Sequence, residues 1–263
     1  MPWLAAVAAA LALGAPAAPS PAAPSRAAAP ARSAGAPIVR PDGVRAARRF
    51  ARARAGAVSF AVIGGGTGLR GLRKGRHQPS ASLSKAMVLA AVLRAARHRP
   101  LKGAERALLG PMVTRSDNDA AIAAYALIGP PGMLDVARAA GMRSFVDVGH
   151  WSDAQVTAAD QARLFWRLDH VLPPRHRAYA RRLLAGIVPA QRWGLAPVAE
   201  RRGLRVLFKG GWRRGITHQA ARLERGRRHA ALAVLIGGGT SQAYDRATIA
   251  GIARRVLAPA PLG

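Results

Sequence analysis

The stretch SLSKAMVLAAVLRA, residues 82–95, joins two serines and a lysine to a long apolar run. The run predicts a strongly apolar helix over Leu83–Ala96. Ser82 then lies where the helix begins and Lys85 one turn further on, and residues three apart share a helix face. A serine hydroxyl is a poor nucleophile until a neighbouring base takes its proton, which the lysine is placed to do. The alternative is a helix cap at Ser82 and a solvated lysine, since S-x-x-K is common by chance.

The scarcity of lysine favours a chemical role for Lys85. It is one of only four lysines among 41 basic residues, the others being Lys74, Lys102 and Lys209. A desolvated lysine can lose its charge and act as a base, whereas an arginine cannot.

Two further short motifs follow along the chain. Ser116-Asp117-Asn118 precedes a helix of small apolar residues, and Lys209-Gly210-Gly211 ends the apolar strand Leu204–Phe208. Each has a structural alternative: Ser, Asp and Asn all suit a helix N-cap, and a lysine at a strand edge discourages aggregation. The order S-x-x-K, S-D-N and Lys-Gly-Gly favours function for all three.

The predicted elements run as one helix, two strands, a block of helices, three strands and a last helix. Strands at both ends with helices between them are typical of the α+β class: an antiparallel five-stranded sheet flanked by helices, with an inserted all-helical subdomain. The predicted helices are Val44–Ala55, Leu83–Ala96, Ala104–Val113, Ala120–Ile128, Gly132–Ala140, Thr157–Leu168, His176–Ile187 and Gln242–Leu257, and the strands are Val58–Ile63, a segment from Leu69, Leu204–Phe208, Gln219–Glu224 and Ala230–Ile236.

The motif trio resembles that of serine β-lactamases and penicillin-binding proteins, most closely class A β-lactamases, over roughly residues 43 to 258. The resemblance implies a β-lactamase/transpeptidase-like fold and a serine acyl-enzyme hydrolase. In such a hydrolase Ser82 is the nucleophile, Lys85 or a partner acting through water takes its proton, and Ser116 passes a proton to the leaving nitrogen.

The resemblance also implies which residues bind the substrate. Asn118 holds the lysine of the first motif and the substrate amide, while Lys209 draws in a substrate carboxylate. Gly211 lets the substrate backbone come close. The backbone N–H of Trp212 completes an oxyanion hole with that of Ser82.

The chain departs from the family pattern in two places. Gly210 stands where threonine or serine is usual, which removes a hydroxyl for the substrate carboxylate. Class A enzymes also carry a glutamate on a loop between the second and third motifs, but the corresponding segment Val146–Val156 has none. Deacylation by the usual route is therefore in doubt. Candidates to replace the hydroxyl are Arg213, Arg214, Thr217 and Arg222, and candidates to replace the glutamate are Asp153 and His150.

The amino terminus predicts export. Trp3–Leu13 is an apolar run of signal-peptide length, too short to span a bilayer, with small residues after it. We assign residues 1–17 to a signal peptide, 18–40 to a disordered Ala/Pro-rich linker and 41–263 to the hydrolase domain. A secreted or extracytoplasmic location follows.

Composition narrows the partners. The chain has no cysteine, and its histidines show no ligand spacing, so neither a metal nor a cofactor is predicted. The formal charge of +29 makes an anionic cell-wall polymer a candidate partner. Nucleic acid is not favoured, because the arginines are spread along the whole chain. A monomer is expected.

Three functions remain open on this basis. The first is a hydrolase that opens a β-lactam or a peptidoglycan stem peptide, the latter as a D-alanyl-D-alanine carboxypeptidase. The second is a non-catalytic penicillin- or cell-wall-binding module. The third is a surface protein that binds polyanions.

Overall fold

A five-stranded antiparallel sheet organises the part of the chain that the computed structural model describes, residues 37–64, 66 and 68–259. The sheet order is β2-β1-β7-β6-β5, and β3 pairs with β4 in a separate two-stranded ribbon. The predicted α+β class and five-stranded sheet are confirmed. The strands are β1 (Ala57–Ile63), β2 (Arg70–Leu72), β3 (Gln78–Pro79), β4 (Gln155–Val156), β5 (Arg205–Arg213), β6 (Ile216–Arg225) and β7 (Arg228–Gly237).

Helices fill the predicted block and cover the sheet. Four short helical elements were not predicted: the 3₁₀ helices Ala81–Ser84 and Pro189–Gln191, and the α-helices Leu168–Val171 and Leu195–Glu200. The α-helices are α1 (Pro41–Arg52), α2 (Lys85–Ala95), α3 (Gly103–Thr114), α4 (Asn118–Ala126), α5 (Gly129–Ala140), α6 (Ala158–Trp166), α7 (Leu168–Val171), α8 (Pro174–Ala185), α9 (Leu195–Glu200) and α10 (Gln242–Val256).

Consecutive residues of β6 show how the sheet separates two layers. Thr217 donates to Asp245 of α10 (2.9 Å), and the next residue, His218, bonds the carbonyl of Pro79 (3.0 Å). Side chains alternate across a strand, so α10 and the segment before Ser82 lie on opposite faces. Helices α1 and α10 pack together on one layer, and α6 packs on β1, β6 and β7.

Side-chain caps set where several helices begin. The hydroxyl of Thr157 accepts the N–H of Asp160 at the start of α6. Asp117 accepts the N–H of Ala120 (2.9 Å) at the start of α4. This cap fixes the S-D-N turn at the start of α4, a helix that packs on α2.

The folded body begins slightly before the predicted boundary. Ile38 and Val39, which the sequence assigned to the linker, are buried, and Val39 bridges to Leu257. The amide of Arg40 donates to the carbonyl of Val256. The predicted signal peptide and the rest of the predicted linker lie outside the described residues.

The prediction that β5 ends at Lys209 was wrong. The strand continues to Arg213, with Gly210 paired to Gln219 and Gly211 to His218. Two glycines lower strand propensity, but their backbone groups still complete the ladder against β6. Lys209 is therefore an interior strand residue, fully buried.

No single helix of the described chain is long and apolar enough to cross a membrane. Helices α4 and α5 meet the length and composition requirement only as a pair, and that pair is bent by 91°.

Candidate active site

Ser82 lies on a constrained turn directly before α2. Ala81 has a φ of 45°, a left-handed conformation that residues with a Cβ rarely adopt. Such strain costs about 1–3 kcal/mol and persists only where the surroundings fix it. Here the amides of Ser80 and Ala81 donate to Ala154 (2.9 Å) and Ser152 (2.8 Å), in the segment 146–154 that we call the site loop. Ser82 itself stays partly exposed.

The first two motifs meet at the amine of Lys85. Its Nζ donates to the carbonyl of Ser116 (2.6 Å) and to Oδ1 of Asn118 (2.7 Å), and lies 3.3 Å from Oγ of Ser116. The side chain is fully buried. Burial lowers the pKa of Lys85 from 10.5 to about 8, against the opposing charge of Asp117. A lysine in this range supplies a neutral amine near physiological pH.

The third motif reaches the same serine from the sheet. Nζ of Lys209 donates to Oγ of Ser116 (3.1 Å) and to the carbonyl of Gly210 (2.9 Å). Burial, and then the charge of Lys85, lower the pKa of Lys209 to about 7. Ser116, itself at a φ of 61°, places its hydroxyl between the two amines. The structure thus brings Lys85, Ser116, Asn118 and Lys209 into one cluster.

Gly211 brings the strand against the backbone of Ser82 and Leu83. A Cβ at this position would lie 2.6 Å from the nitrogen of Leu83 and 2.9 Å from that of Ser82. Real Cβ atoms do not approach that closely, so only glycine fits. The amide of Ser82 therefore lies beside Gly211 of β5, and Trp212 is the next residue of that strand.

The site loop contributes a residue that the sequence analysis missed. Trp151 is 5% exposed, and Nζ of Lys85 lies 4.5 Å from the centre of its ring. The carbonyl of Trp151 accepts hydrogen bonds from the hydroxyls of Ser84 (2.6 Å) and Ser80 (2.9 Å). A large apolar ring among Gly, His, Ser and Asp was the signal that could have pointed to it.

His218 was also missed as part of the site's frame. Its Nδ1 accepts the N–H of Ile236 (3.1 Å), so Nε2 carries the proton and donates to the carbonyl of Pro79. Burial lowers the pKa of His218 to about 4, which keeps the ring neutral. It fastens the chain just before Ser82 to the centre of the sheet.

Four side chains were candidates to replace the hydroxyl that Gly210 lacks, and the prediction was wrong for Arg222. Its guanidinium binds Glu224 (2.6 Å) and Asp169 (3.1 Å), away from the Lys209 cluster. Arg213, Arg214 and Thr217 instead line a cavity of about 590 Å³ that opens beyond Trp212.

Gly210 itself faces an aromatic wall. A Cβ here would lie 3.7 Å from both the ring of Trp193 and the side chain of Gln219, an ordinary contact distance. The rings of Trp193 and Trp212 meet edge to face, with centres 5.7 Å apart. Both aromatic residues are half-buried.

The two candidate bases on the site loop are engaged with each other and with β5. Asp153 pairs with Arg213 (2.7 Å) and with His150 (3.1 Å). The hydrogen bond from Arg213 holds the pKa of Asp153 below its usual value, which makes this carboxylate a weak base.

Metal ligands do not gather in the described part of the chain. No group of three or more His, Cys, Asp or Glu side chains there is arranged to hold an ion.

The fold, with the buried lysines of the first and third motifs meeting at Ser116 of the second, defines the class: the serine β-lactamase and penicillin-binding-protein superfamily. A model of the beta-lactamase enzyme family matches residues 104–259, more than half of the chain. The chain therefore belongs to the beta-lactamase enzyme family.

Solved structures agree on the fold. The β-lactamase of Sphaerobacter thermophilus is 20% identical with a TM-score of 0.70, over 81% of this chain and 95% of that one. PBP-A is 15% identical with a TM-score of 0.70, over 83% of this chain and 96% of its own. A class A β-lactamase of Bacteroides cellulosilyticus is 14% identical with a TM-score of 0.69, over 81% and 95%. No curated protein sequence matches the chain.

Proposed function

We propose that the protein is a serine acyl-enzyme hydrolase that opens β-lactam or D-alanyl amide bonds through Ser82. The observation that carries the proposal is the buried amine of Lys85, one turn from Ser82 and bonded to Ser116 and Asn118. A neutral amine at this place is a base for the serine hydroxyl, and an arginine in its place would stay charged.

Acylation follows from the cluster. Lys85 takes the proton of Ser82, whose oxygen forms a bond to the substrate carbonyl carbon. The amides of Ser82 and Trp212 stabilise the developing oxyanion. The carbon–nitrogen bond then breaks, and Ser116, bonded to both amines, passes a proton to the leaving nitrogen and takes in its place the one that Lys85 removed from Ser82.

Release of the acyl group is the weaker half of the cycle. Water must attack the ester, returning the proton to Ser82 and freeing a carboxylic acid. Asp153 is held by Arg213, and Asp117 caps α4, so neither carboxylate is free to activate that water. We expect slow deacylation and an acyl-enzyme that accumulates.

Two features bear on the substrate. Lys209, and Arg214 in the cavity beyond Trp212, favour a substrate that carries a carboxylate. The absence of a loop glutamate favours D-alanyl-D-alanine carboxypeptidase activity as the alternative to β-lactam hydrolysis, and a non-catalytic penicillin-binding module as the third possibility.

A fluorescent penicillin tests the proposal. Wild-type protein should become covalently labelled, and Ser82→Ala should abolish labelling because no nucleophile remains. A folded wild type that takes no label at high concentration and long exposure would contradict the enzyme proposal. Following the loss of label over hours, beside D-alanine release from a D-alanyl-D-alanine peptide, separates hydrolase, carboxypeptidase and acyl trap.

An arginine cluster supports a second partner, an anionic cell-wall polymer. Burial, and then the charges of Arg254, Arg201 and Arg40, lower the pKa of Arg202. These four arginines are neighbours, and one of them, Arg40, is also paired with Asp42. We call them the arginine cluster. A secreted monomer acting on peptidoglycan stem peptides would meet such a polymer in the cell wall, and repeated phosphates suit closely spaced arginines.

A further inference from the structure

We propose that Trp151 is a positioning residue for the amine of Lys85: its indole face holds Nζ toward Ser116 and closes that end of the amine to water. The inference rests on the proposed function, because it concerns how the base of that reaction is prepared. It assigns a role to a loop residue that the three motifs do not include.

The first argument is geometric. On one side, Nζ of Lys85 donates hydrogen bonds to Ser116 and Asn118. On another side it faces the ring of Trp151, whose centre lies 4.5 Å from Nζ. A cation over an indole face is attracted by the ring quadrupole, most strongly where water is excluded. The amine is fully buried and the indole is 5% exposed, so this contact is a dry one.

The second argument is that the loop is fastened so that the ring stays in place. The carbonyl of Trp151 accepts hydrogen bonds from the hydroxyls of Ser84 and Ser80. The amides of Ser80 and Ala81 also donate to carbonyls of the loop. These bonds use the backbone carbonyls of Trp151, Ser152 and Ala154. Substitution of its side chain therefore leaves the loop's attachment to the Ser82 turn intact.

The third argument is that the ring's own polar atom is not what holds it. The indole N–H of Trp151 is buried without a hydrogen-bond partner among the described residues. A buried unpaired donor is costly, and such sites commonly have a functional reason. The ring face, and not the N–H, makes the contact that matters for Lys85.

Other charged groups near Lys85 act in both directions. Lys209 approaches from β5 and shares Ser116, which disfavours a second positive charge. Asp117, at the start of α4, favours the charged form. On the site loop, His150 and Asp153 are paired with each other, and Asp153 also with Arg213. Trp151 is the loop side chain whose ring covers the amine.

The test is a titration of Lys85 in three variants of the full chain. With ¹³C-labelled lysine the protein gives four side-chain signals, and the Lys85 signal is the one lost in Lys85→Arg. Trp151→Leu keeps the cover but removes the π face, so the pKa of Lys85 should fall. The ratio of free base to ammonium at a given pH should rise about threefold to thirtyfold. Trp151→Phe should give a smaller fall.

Trp151→Ala admits water and should move the pKa in the opposite direction, toward 10.5, because burial is the larger influence on this amine. The acidic limb of the acylation rate should shift with each variant, and the plateau should drop as Nζ loses its fixed direction. Trp166→Leu is the matched control, because that indole stacks on His229 and does not contact Lys85.

Equal pKa values for Lys85 in the wild type, Trp151→Leu and Trp151→Ala would overturn the inference. If Trp151→Ala does not fold, the Leu and Phe variants still decide it. The titration needs no acylation, so a wild type that fails to label penicillin would refute the proposed function and leave this measurement standing.

Discussion

At the scale of single residues, the site is built around two lysines that share one hydroxyl. Lys85 and Lys209 both donate to Oγ of Ser116, at 3.3 and 3.1 Å. Two ammonium groups this close in a buried place repel strongly, so the cluster favours one positive charge over two. The proposed reaction needs one of the two singly charged forms of the pair, with Lys85 neutral to accept the serine proton and Lys209 charged to attract a carboxylate.

This sharing predicts a bell-shaped pH profile for acylation. The rate should rise with pH as Lys85, with a pKa of about 8, loses its proton and becomes a base. It should fall again as Lys209, with a pKa of about 7, loses the charge that binds the substrate carboxylate. Because the two titrations are coupled, the limbs belong to the pair, and we expect the maximum at about pH 7–8.

Second-order labelling rates with a fluorescent penicillin between pH 5.5 and 9.5 would measure the profile. Lys209→Met should lower the rate and flatten the alkaline limb, since only one titrating amine remains. A rate that does not change across this range in the wild type would argue against a lysine base.

At the scale of elements, the decisive contact is between β5 and the 3₁₀ turn that carries Ser82. Adjacent glycines of β5 have opposite surroundings. A Cβ on Gly211 would meet backbone nitrogen atoms at 2.6 and 2.9 Å, whereas a Cβ on Gly210 would meet its neighbours at 3.7 Å. Backbone cannot move aside as a flexible side chain does, so only the first position excludes alanine.

Gly211→Ala should therefore lose labelling and lower the free energy of unfolding by about 1–3 kcal/mol, as overpacking does. Gly210→Ala, the matched change one residue away, should keep the labelling and should change the free energy of unfolding by no more than about 0.5–1 kcal/mol. Denaturant unfolding and labelling rates would measure the pair. Similar losses in both variants would mean that β5 does not approach the turn as closely as the structure has it.

The same elements show what the sequence could predict. Apolar runs and turn residues located most of the helices and strands, and the resemblance carried by the three motifs implied that Asn118 holds the lysine of the first motif. The sequence could not place Trp151 over Lys85, because that contact depends on the path of the site loop. Asp160 helps to set the path: its buried carboxylate accepts the amides of Arg143 and Ser144 just before the loop. A hydrogen bond between distant segments has no local signal.

Gly210 and Gly211 illustrate the opposite error. Their low strand propensity suggested that β5 ends at Lys209, but the long partner strand β6 continues the ladder to Arg213. Tertiary pairing overrides propensity when a full set of backbone partners is present. The burial of Lys209, which sets its pKa, is a consequence of that continuation.

At the scale of the whole molecule, part of the excess positive charge is concentrated in one place. The formal charge is +29, yet several arginines are used in internal ion pairs, such as Arg181 and Arg222 with Glu224. The arginine cluster differs in part: Arg201 and Arg254 lie near Arg202 as like charges, whereas Arg40 is also paired with Asp42. Its members lie just before α1, between α9 and β5, and near the end of α10.

The cluster predicts salt-sensitive binding to a phosphate polymer that does not depend on Ser82. Retention on immobilised poly(glycerol phosphate) should weaken with salt, and Arg201→Glu with Arg254→Glu should reduce the dependence, by about 0.7 in the log–log slope for each lost phosphate contact. Arg138→Glu with Arg143→Glu is the matched control, since it removes the same charge from exposed residues near α5. Equal effects of the two pairs would show attraction by net charge alone, with no binding surface at the cluster. Penicillin labelling should be unchanged in both, because neither pair contacts the lysines at Ser116.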